Sequence, residues 1–271
     1  MTRKEIFAQF GIEYKDNKIK HNVLGFVRLP LVNGNDKIGK GCWHFSTLPT
    51  NITFLVRING KEYELFGTCP CTCKDKDGKT TCYATKGNYN YKSVKNALGM
   101  RTWLAYNDID FLRRAIMAQI IADKILIVRI HVAGDFFSDL YIEMWKDIVK
   151  AFPHVVFWSY TKNIKAEKAF DDFDNINIVK SVVRGFGFNY GHIDYIIKVY
   201  NALKSAGKSV YICKCGIDKN QHCITCGACR TCEYVLFVEH STDYKAEKDP
   251  LFPVFCDLVA AQDDIVLDIA A

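Results

Sequence analysis

Hydrophobic and polar positions change period several times along this chain, and the changes mark its elements. Ile52-Thr53-Phe54-Leu55-Val56-Arg57-Ile58 alternates, Asn59-Gly60 follows, and Tyr63-Glu64-Leu65-Phe66 takes up the strand again. Asn-Gly supplies the positive φ angles of a two-residue hairpin turn, so this stretch predicts a β-hairpin. With turns marked at Gly34-Asn35-Asp36 and Gly39-Lys40-Gly41, residues 1–68 read as a β-rich lead-in. The period then lengthens. Tyr91 to Tyr106 reads as a helix, and Ile109, Leu112, Ile116 and Ile120 recur at helical spacing after the N-cap signal Asn107-Asp108.

Strands and helices alternate from there on. Ile125 to Val132 is a buried-type strand ended by Gly134-Asp135, and Ser138 caps a helix whose apolar face is Leu140, Tyr141, Met144, Trp145, Ile148 and Val149. Val155 to Tyr160 is a strand with a helix over Asn163 to Phe173 behind it. Asn177 to Val183, Ser209 to Ile212 and Val235 to Val238 complete the set, with a helix through Ile193, Ile197, Tyr200 and Leu203 closed by Gly207. This rhythm predicts βαβ units and a parallel sheet, curled into a partial, open βα barrel because crossovers share one hand. The expected layout is a lead-in over 1–68, the βα body over 69–212, a cysteine-rich segment with the last strand over 213–240, and a C-terminal segment over 241–271. Chemistry in such sheets gathers at the carboxyl ends of strands, where Asp135, Tyr160-Thr161-Lys162 and Arg184-Gly185 fall.

Composition sharpens this in two ways. The chain of 271 residues carries a net charge of +6, yet residues 241–271 hold seven acidic residues against two lysines. The body is therefore basic, which admits nucleic acid or an anionic cofactor as a partner, although the lysines are scattered and read more readily as a solvated surface. No apolar run spans a bilayer and the start shows no secretory signal, so the expectation is a cytoplasmic protein without membrane contact. Twelve cysteines in such a compartment point away from disulfides and toward metal.

Ten of the twelve fall into two groups; Cys42 and Cys256 stand alone and read as packing residues. In the first group, Cys69 and Cys73 are three residues apart and Cys82 follows after eight more, with Cys71 between. Thiolates converging from a polar loop favour zinc or an iron–sulfur cluster, and this is not an ordinary zinc spacing. In the second, Cys213 and Cys215 follow a strand, and Cys223, Cys226, Cys229 and Cys232 recur at strict two-residue gaps. That run suits an iron–sulfur cluster or zinc equally, as a redox centre or a loop staple. A carboxylate at a strand end such as Asp135 can accept hydrogen bonds from an amine or simply cap a helix. His131, inside a strand, reads first as a hydrogen-bonded core residue.

Taken in order, Thr68-Cys69-Pro70, Cys73, Cys82-Tyr83-Ala84, His131 through Ser138 and Phe157 through Lys162 resemble the phage gene-product-88 family of mobile-element proteins, from about Phe45 to His240. That family in turn resembles the radical S-adenosylmethionine (radical SAM) enzymes. The resemblance implies a radical-SAM type partial barrel whose 4Fe–4S cluster is held by Cys69, Cys73 and Cys82. It further implies S-adenosylmethionine held near Ala133, Gly134, Asp135, Tyr160 and Lys162, and an auxiliary cluster on the C-terminal cysteines. The family pattern has three and then two residues between its cysteines; Cys69 and Cys73 match the first gap, and Cys82 comes six residues late. The competing expectations are a zinc-stapled binding protein, for nucleic acid, and an adaptor that docks through apolar stretches of its acidic C-terminal segment.

Overall fold

The computed structural model describes residues 1–34, 38–72, 80, 82–214, 222–238 and 245–262. Cys73, Cys215, His240 and the apolar run Ile265-Val266-Leu267 lie outside the described residues.

Helix α1 (Arg3–Gln9) starts on a capping box in which Thr2 and Glu5 satisfy each other's backbone N–H groups. An antiparallel meander follows, β1 (Tyr14–Lys15), β2 (Lys18–His21) and β3 (Gly25–Arg28). After β4 (Val32–Asn33) and β5 (Cys42–His44) comes the hairpin of β6 (Thr53–Ile58) and β7 (Lys61–Phe66), turning at Asn59-Gly60 with both φ angles positive. Helix α2 (Lys92–Asn107) leads to α3 (Ile109–Ala122), started by the Asp108 side chain accepting from the Phe111 N–H. Then come β8 (Ile127–Ile130), α4 (Asp139–Ala151) capped by Ser138, β9 (Val156–Thr161), α5 (Ile164–Ala169) and β10 (Ile176–Lys180). Three short strands, β11 (Val182–Val183), β12 (Gly187–Phe188) and β13 (Tyr190–Gly191), precede α6 (Ile193–Ser205) and β14 (Val210–Ile212). Helix α7 (Cys223–Cys226), β15 (Tyr234–Val238) and α8 (Phe252–Ala260) complete the order.

The strands of the βα units divide between two open sheets, and none of the sheets among the described residues closes into a barrel. The larger has the order β10-β9-β8-β5-β4, with β5, β8, β9 and β10 parallel and β4 antiparallel at its edge. The smaller is parallel, in the order β13-β15-β14. They are fastened together where the Lys180 N–H donates to the Glu233 carbonyl at 3.1 Å, and the Asn189 N–H donates to the Ser181 carbonyl just past β10 at 3.1 Å while its Nδ2 donates to the Val235 carbonyl of β15 at 2.7 Å. The first parallel strand, β5, comes from within the expected lead-in, which also contains α1. Three residues between turns carry too little periodicity to announce a strand.

Alternation along the parallel strands gives the large sheet two distinct faces. Val128, Ile130 and Phe157 point toward the helices and join Tyr141, Trp145 and Ile148 of α4 and Leu112 and Ile116 of α3 in one core. The opposite face carries Cys42, Ile127 and Trp158, with Tyr160, Cys223 and Cys229 against them. Beyond these, Val179 meets Tyr211 and Val235 of the smaller sheet, with Cys213, Cys226, Cys229 and Cys232 packed around. The segment carrying the second cysteine group is thus enclosed between the sheets. The smaller sheet's other side is covered by α6 and by α8, whose Phe255 and Val259 are buried there, so the apolar start of the acidic segment docks on its own chain. No helix among the described residues is long and apolar enough to cross a membrane.

Asn177 of β10 holds the enclosed segment through its side chain, Nδ2 donating to the carbonyls of Cys229 at 3.0 Å and Cys232 at 2.9 Å. Replacing Asn177 by Ala leaves two carbonyls without that donor. The expected cost is about 1–3 kcal/mol in denaturant unfolding, with faster amide exchange confined to residues 228–234. Unchanged exchange there would show that the segment is held by other contacts.

Candidate metal centre

The carboxyl end of β8 is built by backbone conformations that few residues tolerate. His131 takes a left-handed φ of +62° and Gly134 one of +88°. At Gly134 a Cβ would lie 1.9 Å from Thr47 Oγ1 and 2.6 Å from Thr68 Oγ1, so the position admits only glycine. The close approach brings the two threonine hydroxyls within 2.8 Å of each other, and Thr68 Oγ1 accepts from the Asp135 N–H at 3.2 Å. Thr47 N–H donates to the Ala133 carbonyl at 3.0 Å. Ala133 and Gly134 therefore contribute backbone and clearance.

These contacts fix the first cysteine loop. Thr68 immediately precedes Cys69, whose N–H donates to the Thr50 carbonyl at 2.9 Å. Tyr83, immediately after Cys82, donates its hydroxyl to the Val132 carbonyl. Cys69 and Cys82 are thus tied to one strand end, and Cys82 lies close enough to act on the ionisation of Cys69. Burial first, then the Asp135 carboxyl, pushes the Cys69 thiol up to about 12, against the opposing charge of Lys162; burial raises Cys82 as well. Such thiols are protonated at neutral pH unless a metal takes the proton's place.

Asp135 is buried and turned inward. Its Oδ1 accepts from the Phe136 N–H at 2.8 Å and from Thr161 Oγ1 at 2.6 Å, and Oδ2 accepts from the Lys162 N–H at 2.9 Å. It is therefore not the cap of α4, a role that Ser138 fills. It clamps the end of β8 to the end of β9, with one acceptor position left on Oδ2. Burial raises its pKa, outweighing the Lys162 charge and the three donors. Asp135, Lys162, Cys69 and Cys82 come together at this rim. A cavity of about 480 Å³ beside it is lined by Cys69, Phe66, Tyr106, Phe136, Phe137 and Leu140 among others.

Tyr160, expected beside Lys162 at this rim, belongs elsewhere. Alternation along β9 sends it to the opposite face, where its hydroxyl lies 2.8 Å from Cys229 Sγ and its ring packs on Phe237. Cys229 is pushed up to about 12 by burial and then by Cys223, against the Tyr160 hydrogen bond and Arg129. Cys226 acts on Cys229 in the same sense, and Cys213 is near enough to act on Tyr160. Cys232 packs with them among Tyr211 and Val235. None of the ten described cysteines is in a disulfide. Among the described residues no three His, Cys, Asp or Glu side chains converge as a bound ion requires, with Cys73 and Cys215 outside that set.

His131 is a core residue as its position suggested. Its Nε2 lies 2.8 Å from the Tyr141 hydroxyl, and burial with the nearby Arg129 charge pushes its pKa down to about 3. Cys42, read as a packing residue, is wholly buried against Ile127 and Trp158, while sequence reasoning passed over Arg129 as a site residue. An arginine inside the apolar run Ile125 to Val132 was the available signal, and there it served only to rule out a membrane span.

The sequence pattern of the gene product 88 family matches residues 29–232. The Gene 88 protein of Mycobacterium phage D29 is 27% identical over 136 residues, 42% of this chain and 56% of that protein. The Gene 88 protein of Mycobacterium phage L5 is 30% identical over 91 residues, 30% of this chain and 38% of that protein. The chain thus spans about half or less of the length of these relatives. No solved structure matches.

Two substitutions test the rim. Gly134→Ala is expected to cost about 2–4 kcal/mol through strain and the clash with Thr47, read as a drop in Tm. Asp135→Asn is expected to destabilise by about 1–3 kcal/mol although it removes a buried charge, because its amide would face a backbone N–H. Since the folded pKa of Asp135 is raised, its contribution is complete below the ordinary value of about 3.9 and declines as pH rises through the folded value. The stability gap between wild type and Asp135→Asn should therefore narrow from acid toward neutral pH.

Proposed function

The chain belongs to the gene product 88 family, and we propose that it is a phage or mobile-element iron–sulfur enzyme of radical-SAM type. In this reading Cys69 and Cys82, with Cys73, hold a 4Fe–4S cluster at the rim, and the C-terminal cysteines hold a second metal centre. The observation that carries it is the rim itself. The loop that follows the β6–β7 hairpin is tied by Thr68 and Tyr83 to the carboxyl end of β8, so that Cys69 and Cys82 stand beside Asp135 and Lys162. Carboxyl ends of parallel strands are where open α/β sheets bind ligands.

The donor set fits the group in kind. Cys69 and Cys82 are soft ligands held near neutral thiols until metal arrives, and Lys162 places a positive charge near both. A 4Fe–4S cluster with three protein ligands supplies an electron and an open iron to which S-adenosylmethionine can attach through its amine and carboxylate. The chain's own residues then orient and shield. The remaining acceptor position on Asp135 Oδ2 faces an amine donor's chemistry, while the Lys162 ammonium suits a carboxylate. The largely apolar cavity beside Cys69 offers the substrate a site next to the cluster.

The experiment is metal and sulfide analysis with an absorption spectrum on protein purified without oxygen, followed by methionine release from S-adenosylmethionine under a one-electron reductant. Iron and sulfide are expected, with the Cys69→Ala/Cys82→Ala double variant losing one centre and all methionine release. Colourless protein holding zinc alone and resisting reconstitution would refute this reading. It would leave a zinc-stapled protein, to be assayed for salt-dependent binding of nucleic acid.

A further inference from the structure

One stretch of the surface combines exposed rings with a single sign of charge. From Gly78 through Asn107 the sequence holds no acidic residue, and Lys86, Lys92 and Lys95 interleave there with Tyr83, Tyr89 and Tyr91 and with Asn88 and Asn90. Arg101 of the same run is buried against the Pro30 and Ala97 carbonyls, so the lysines are what charge the surface. Two consecutive 3-10 turns, Tyr83–Thr85 and Gly87–Asn90, lead into α2. They are closed by the Lys86 N–H donating to the Tyr83 carbonyl at 3.1 Å and the Tyr91 N–H donating to the Asn88 carbonyl at 3.2 Å. A folded backbone thus sets the spacing of these side chains.

Three rings shape the surface. Tyr83 is held at its tip, where the hydroxyl donates to the Val132 carbonyl, and Tyr89 braces it edge-on at 6.0 Å between ring centres, yet Tyr83 remains 58% exposed. Tyr91, at the start of α2, is 63% exposed. Rings left open to water in this way suit a flat partner that stacks on them. Between this stretch and β6 runs a cleft of about 190 Å³, lined by Ile52, Phe54, Tyr89, Asn90 and Lys95 among others. It has room for one ring-sized group, and Asn90 brings to its wall an amide that both donates and accepts. Lys86 and Lys92 are exposed alongside, and Lys95 is half-buried at the cleft.

Rings to stack on, cations beside them and a cleft for a single ring match the chemistry of a nucleic-acid single strand, whose bases have free faces and whose phosphates each carry a charge. A duplex keeps its base faces stacked inside, and an acidic peptide would use the lysines but leave the rings and the cleft unfilled. We propose that residues 83–95 bind single-stranded DNA, with bases stacked on Tyr83 and Tyr91, one base in the cleft beside Asn90, and Lys86, Lys92 and Lys95 at the phosphates. None of these contacts reads a 2′-hydroxyl, so DNA suffices. Tyr83 directly follows Cys82, so the strand passes the rim, and under the preceding reading it is the substrate brought there. The binding itself does not depend on a metal.

The test is fluorescence anisotropy of a labelled oligo-dT of about 16 nucleotides, titrated with the full chain purified without oxygen, with metal content measured on the same sample. Wild type is expected to bind, with log K falling against log salt at a slope of about −2, from three phosphate contacts at about 0.7 each. Tyr91→Ala should weaken binding about tenfold or more, and Tyr91→Phe, which keeps the ring, should bind as wild type does. Lys86→Gln/Lys92→Gln should flatten the slope by about 1.4, whereas Lys15→Gln/Lys18→Gln, which removes the same charge from β1 and β2, should leave it unchanged. Circular dichroism identifies the variants that fold, and if Tyr91→Ala does not, the two lysine pairs decide. Wild type that does not bind would overturn the proposal, as would equal slopes in the two lysine variants, or duplex DNA or polyglutamate bound as tightly as oligo-dT. Oligo-U bound about tenfold more tightly would overturn the assignment to DNA. Binding by protein without iron or sulfide would support this surface while refuting the radical-SAM reading, and iron and sulfide without binding would do the reverse.

Discussion

A guanidinium drawn between two sheets is costly to desolvate, and among the described residues Arg129 lies with the phenols of Tyr83 and Tyr160 and the thiols of Cys223 and Cys229 acting on it. Desolvating a cation costs several kcal/mol even after relaxation. The stack of Tyr160 on Arg129 offsets about 2 kcal/mol of that. Among the described residues the leading acidic groups acting on it are phenols and thiols. At neutral pH, thiols such as Cys42 and Cys229, pushed up to about 12, carry no charge. Under the proposed function, the metal held by the C-terminal cysteines would reverse this for its ligands, since a coordinated thiol is deprotonated outright.

Strand β9 serves both groups of cysteines through the pleat. Thr161 turns toward Asp135 and closes the clamp on the rim, while Tyr160, one residue earlier, turns the other way and meets Cys229. Adjacent residues thus belong to two sites on opposite faces. The same rule places Arg129 opposite Val128 and Ile130, which is why an arginine can interrupt an apolar strand without breaching the helix-packed core.

What was legible in the sequence is what local physics decides. The Asn59-Gly60 hairpin, the Asp108 and Ser138 caps and the alternation of strands with helices follow from short-range conformational preference and periodicity, and they are present. The meeting of Cys69 and Cys82 with Asp135 and Lys162 followed from the strand-end rule. Cys42 is buried as its isolation in the sequence suggested, and the parallel pairing of β5 with β8 decides which face it packs on. Tyr160 was grouped with Lys162 because they are neighbours in the chain, which the pleat overrides. Asp135 was read as a ligand or a cap, whereas tertiary donors from β9 make it a clamp.

The two cysteine groups are not electrically separate. Tyr83, whose neighbour Cys82 belongs to the rim, is among the acids acting on Arg129, and so are Cys223 and Cys229 of the enclosed segment. One guanidinium therefore lies in the field of both. Low dielectric strengthens the interaction with the buried thiols, whereas Tyr83 is 58% exposed and its side of the coupling is screened by water. Any charge gained by the enclosed thiols changes the potential that Arg129 presents toward Tyr83, and Tyr83 is the residue that pins the Cys82 side of the loop to β8. The coupling between the groups thus needs no moving part, because a single fixed cation is shared by the residues that build each of them.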